Sequence, residues 1–175
     1  MKKIHKYLYD LFLRLALTLL VSINSLALFY FIFTPLTVYP SYWILKVFYP
    51  VIMQDNFLLY NTNVIEIINA CIAGSAYYLL IILNLTTKGI NWITRIKAFI
   101  FSSLSLLVLN ILRIVILAIL LFSYPLAFTS IHIAFWLIGS TLFVVAIWIA
   151  TIKIYNIKEI PIYSDLKEVL KLFRK

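Results

Sequence analysis

With a single cysteine, Cys71, this sequence can hold neither an internal disulfide nor a cysteine-rich metal site. Charge is also scarce: 12% of the 175 residues are charged, against roughly a quarter in an ordinary soluble domain. Only six residues are acidic and two are histidine. Three glycines leave no room for a flexible Gly/Ser linker, and the chain has neither an internal repeat nor a low-complexity tract.

Apolar residues fill the space: 65% of the chain, with a mean hydropathy of +1.06. Several runs approach the roughly 20 apolar residues that cross a bilayer. The composition therefore predicts an all-α integral membrane protein, one helical bundle over 1–175 with no separate soluble domain. The net charge of +9 does not point to nucleic acid, because the basic residues cluster at the ends of apolar runs, where they act as topology signals beside anionic lipid. No metal or organic cofactor is implied.

About four transmembrane helices are expected. The first covers 15–33; it follows a basic N-terminus and is too long for a signal-peptide core of roughly 7–15 residues. Pro35 and Pro40 are expected to end it, since each removes a backbone donor. An extracytoplasmic insert over 35–69 then carries the aromatic stretch Ser41–Tyr49, suited to the interface. It also carries a β-hairpin-like segment around Asp55-Asn56, with a β-branched run Val64–Ile68 that contains Glu66. Further helices are expected over 70–86, 98–122 and 131–152, with Pro125 opening a charge-free loop before the last. A basic amphipathic tail over 158–175 spaces Leu166, Val169, Leu170 and Phe173 along one helical face.

Under this reading every Lys and Arg except Lys46 and Arg113 falls on one side, which predicts cytoplasmic N- and C-termini. Cys71 then opens a helix that runs inward from the outer boundary. Arg113 lies about 24 Å beyond Lys97, in a core about 30 Å thick, and His132 opens another inward helix. All three reach the extracytoplasmic half.

Arg113 is costly inside a bilayer, by roughly 2.5–3.5 kcal/mol at its centre. Ser103 and Asn110 share its helical face, which should point into the bundle; snorkelling to the outer headgroups is the plain alternative. Cys71 at a helix N-terminus is favoured as a thiolate by the helix dipole, and a nearby cation such as Arg113 adds to that. Gly74, one turn later, would let a substrate backbone approach closely. His132 has the proton-transfer chemistry a thiol nucleophile needs. Glu66 reads as a group that caps or orients the hairpin, and His5 as a solvated residue of the basic tail.

With these residues in place the chain resembles the exosortase/archaeosortase family of multi-helix membrane cysteine transpeptidases. The resemblance spans Val51 to Gly139. It rests on a short β-like segment leading into Ala70-Cys71 at a helix start, on Asn110-Ile-Leu-Arg113-Ile as an Asn-x-x-Arg-Ile element, and on His132 at the next helix start. The family's Cys-Ser/Thr-Gly is Cys71-Ile-Ala-Gly74 in this chain. The resemblance implies a protease and transpeptidase in the cell membrane with its active site on the extracytoplasmic side. Cys71 would be the nucleophile, with Arg113 and His132 catalytic and Asn110, Gly74 and Glu66 supporting. Its partners would be exported proteins bearing a C-terminal transmembrane sorting signal, with an amine-bearing acceptor, a lipid among the candidates. The alternative is a non-enzymatic polytopic protein, a transporter subunit or assembly scaffold, in which Arg113 is a structural counter-ion.

Overall fold

The computed structural model describes residues 2–23 and 26–173. Helix dominates. Three helical stretches are long and apolar enough to cross a membrane: Ala27–Phe48, Trp92–Ser123 and Pro125–Ile154. A shorter apolar stretch, Asn69–Leu85, lies between the first two.

The expected helix over 15–33 is divided between two helices. α1 (Lys2–Ile23) ends, Leu26 adopts a left-handed φ of 64°, and α2 (Ala27–Phe48) begins. The apolar run alone does not reveal the break, nor where Arg14 sits. Arg14 is buried, donating to Asp10 Oδ2 at 3.0 Å, to Asp165 Oδ2 at 2.8 Å and to the Leu85 carbonyl at 3.2 Å. Those partners tie α1 to the end of the Asn69–Leu85 stretch and to Asp165, and α2 starts as a separate helix at Ala27.

Pro35 and Pro40 do not end a helix; both lie inside α2. An interior proline costs about 3 kcal/mol in water, but in an apolar setting an opened backbone finds no solvent donors or acceptors, so helix persists where packing supports it. α2 supplies that packing by burying Phe29, Val38 and Leu45. Ser41–Phe48 therefore forms the last two turns of α2, not a separate interfacial segment, and the expected insert shrinks to its strands and their flanks.

The strands form one antiparallel meander: β1 (Ile52–Gln54), β2 (Phe57–Tyr60) and β3 (Asn63–Glu66). Gln54 pairs with Phe57 across the Asp55-Asn56 turn, and Tyr60 with Asn63 across Asn61-Thr62. Asp55 and Asn61 take positive φ of 52° and 50°, tolerated because their short polar side chains can bond locally. Alternation turns Leu58 fully inward, and Val51 and Ile67 close the same core with Leu45, Ile72, Ile114 and Ala118. The sheet is thereby seated on the ends of α2 and of the long helix Trp92–Ser123.

After β3 come a four-residue turn α3 (Asn69–Ile72), then α4 (Gly74–Leu85) and α5 (Trp92–Ser123). The Asn91 side chain caps α5 by accepting from the Thr94 amide at 3.0 Å. Pro125 opens no loop: it sits in the first turn of α6 (Pro125–Ala134), where its missing N–H costs nothing. A π turn (Phe135–Gly139) joins α6 to α7 (Ser140–Ile154). A second core, Phe29, Tyr77, Leu80, Leu106, Val144, Ile147 and Trp148, binds α2, α4, α5 and α7.

The basic residues meet at the far end of α4. Arg95 donates to the carbonyls of Asn84 and Thr87, satisfying acceptors that the end of α4 leaves open. α8 (Tyr163–Phe173) docks there through Asp165, which also accepts from Tyr7 Oη at 2.9 Å, and through Glu168, 3.0 Å from Lys88 Nζ. Burial and the Asp165 carboxylate hold the Tyr7 phenol well above its ordinary range, while the hydrogen bond from Lys88 keeps Glu168 below the usual carboxylate range.

Candidate functional site

At the opposite end of α4 and α5, a cavity of about 510 Å³ opens between β3, α3, α5 and α6. That volume falls within the range of small-molecule sites. Its wall is mostly Ile, Leu, Val and aromatic side chains, yet it includes Glu66, Cys71, Arg113 and His132. These come from a strand, a turn and two helices, separated by up to 66 positions of sequence.

Cys71 is not at the N-terminus of a long helix. It is the third residue of α3, and Ala73 separates that turn from α4 with a left-handed φ of 58°, a conformation that costs an L-residue with a Cβ roughly 1–2 kcal/mol. The dipole of α4 therefore does not bear on the thiol as expected. The kink frees the Cys71 carbonyl from helical bonding, and α5 satisfies it: Asn110 Nδ2 donates to that oxygen at 2.7 Å and Arg113 Nη2 at 3.2 Å. Residues three apart on one helical face thus clamp one backbone oxygen of the residue that carries the half-buried thiol.

Gly74 serves a different purpose from the expected one. A Cβ there would lie 2.7 Å from Tyr30 Cε1, so the space is filled by a tyrosine of α2 and is closed to a substrate. Any Cβ there would push the Tyr30 ring aside, so glycine lets this tyrosine of α2 lie against the start of α4.

Arg113 is 8% exposed. Its second terminal nitrogen, Nη1, donates to Ser140 Oγ at 3.4 Å, and its Nε has no hydrogen-bond partner. The ion pairs among the described residues do not include it. A buried cation without a carboxylate favours any anion that forms beside it. The arginine does not snorkel; it is held inward by Cys71 and Ser140.

His132 lies within α6 instead of opening a helix. Its ring stacks on Phe128, one turn earlier, with centroids 5.2 Å apart and planes inclined by 14°. Glu66 ends β3 opposite Phe57 and stands exposed on the cavity wall. Ser103 is buried on the Arg113 face of α5.

Ser140, Tyr30 and the left-handed Ala73 carry no motif, and the sequence offers no signal for them. The arrangement sets a thiol, a guanidinium and an imidazole around one largely apolar chamber; chemically, these are a nucleophile, a fixed positive charge and a proton carrier. No protein-family model, no curated protein and no solved structure matches the chain.

Proposed function

We propose that this protein is a membrane-embedded cysteine protease and transpeptidase resembling exosortases and archaeosortases, acting near the C-terminal transmembrane sorting signal of exported proteins. The observation that carries the reading is that Cys71, Arg113 and His132 line one cavity. In the first half-reaction the Cys71 thiol gives its proton to His132 and its sulfur bonds to the scissile carbonyl carbon. Arg113 balances the negative charge on sulfur and then on the carbonyl oxygen. The C–N bond breaks, the proton passes from His132 to the leaving amine, and a thioester remains. In the second half-reaction an acceptor amine attacks the thioester carbonyl, its proton returns through His132, and the thiol is released.

Four crossings complete the reading: α2, the α3–α4 stretch, α5 and the continuous α6–α7 helix. Both termini are cytoplasmic and the cavity is extracytoplasmic. Support comes from the separation of charges along α5, where Arg95 at the basic end and Arg113 at the cavity are about 27 Å apart. Lys88, Arg14 and α8 share the Arg95 end, as the positive-inside rule requires. The acceptor is an amine-bearing molecule, a lipid among the candidates.

The test compares the C-termini of exported proteins, by mass spectrometry, in cells carrying the native protein or Cys71→Ala. Proteins ending in an apolar helix and a basic tail should lose their tails only in the native strain. Unchanged processing with Cys71→Ala refutes the enzyme. It would favour a scaffold, a reading consistent with the polar contacts of Asn110 and Arg113 reaching the Cys71 backbone and not its sulfur.

A further inference from the structure

We infer that Ser140, together with the π turn before it, is a positioning element for this site: Ser140 orients Arg113, and the π turn aligns His132 with it. The inference rests on the reading of Cys71 as a nucleophile, but it can fail separately.

α6, the π turn and α7 form one continuous helix, Pro125–Ile154. In α7, Val144, Ile147, Trp148 and Thr151 are buried and mark the face turned to the bundle. Ser140, one turn before Val144, continues that face. At about 100° per residue, an uninterrupted α-helix would put Ile133 on this face and leave His132 about 80° away. A π turn adds about one residue to the circuit, which brings His132 to within about 20° of Ser140. The cavity lining agrees: Phe128, His132 and Phe135 line it, whereas Ile133 does not. A wider turn at this place is what allows one helix to present both an imidazole to the cavity and a hydroxyl to its arginine.

Ser140 also decides where the guanidinium can be. Arg113 carries roughly 2 kcal/mol of rotamer entropy, and among the described residues its recorded partners are the Cys71 carbonyl and Ser140 Oγ. One bond anchors Nη2; the other, to Nη1, stops the plane from swinging about that anchor. Without Ser140 the charge would be present but misaimed.

Cys71 is the sole cysteine, so its alkylation by iodoacetamide in the full-length protein reports the site without background. Ser140→Ala should slow alkylation about threefold to tenfold, the range for loss of one ordinary hydrogen bond, as suits a contact as long as 3.4 Å. Ser140→Thr, which keeps the hydroxyl, should restore the rate. In an Arg113→Gln background Ser140→Ala should have no further effect, since its action passes through the arginine. A native rate in Ser140→Ala, or equal slowing with and without Arg113, overturns the inference. Processing that survives Cys71→Ala would instead remove the enzymatic reading and leave the coupling between Ser140 and Arg113 standing.

Discussion

Replacing Asn110 with aspartate changes one atom for another of nearly the same size, yet it should silence the site. The amide nitrogen of Asn110 and Nη2 of Arg113 both bond the Cys71 carbonyl, at 2.7 and 3.2 Å, so a carboxylate in place of the amide stands about 5 Å from the guanidinium. At an effective dielectric constant near 20, two unit charges at that separation attract by about 3 kcal/mol. The new carboxylate would claim the cation that now has no acidic partner, and an anion forming on sulfur or on a carbonyl oxygen would lose up to the same amount. That corresponds to roughly a hundredfold in rate. Asn110→Leu is the control, because it removes the same hydrogen bond without adding charge and should cost only about 1–3 kcal/mol of local order. Both variants are assayed by Cys71 alkylation and by processing of exported proteins. If Asn110→Asp reacts as fast as Asn110→Leu, the charge of Arg113 does not serve the thiol and the proposed chemistry fails.

Moving the imidazole by one position, with His132→Ala and Ile133→His together, should fail to restore processing, because the π turn directs position 133 away from the cavity; recovery would mean a straight α-helix there. At the basic end, Asp165→Ala takes one of two carboxylates from the buried Arg14, leaving the partly exposed Asp10, and should lower the stability of detergent-solubilised protein by about 1–3 kcal/mol, seen as a reduced thermal midpoint. Lys88 lowers the Glu168 carboxyl, so their contribution to docking α8 is complete above the ordinary Glu value of about 4.3 and fades as pH falls through the depressed one. Proteolysis of α8 should accordingly rise on acidification below about pH 4 in the native protein, and this pH dependence should weaken in Lys88→Ala.

Membrane character, the order of the apolar stretches, the Asp55-Asn56 turn and the three polar residues out of place in an apolar chain are all legible in the sequence. Each depends on local composition, or on the high cost of a polar group in an apolar setting, and neither needs a partner to be recognised. Tertiary contacts decided the rest. Pro35 and Pro40 remain helical because α2 packs along α5 and buries Phe29, Val38 and Leu45. The Leu15–Phe33 run is divided between α1 and α2, and Arg14 at its start is held by Asp165, 151 positions away. Gly74 answers to Tyr30, and His132 owes its direction to a turn wider than 3.6 residues. A one-dimensional pattern records which side chains avoid water; it does not record which distant group will satisfy a stranded carbonyl or a buried cation, and those pairings shape this cavity.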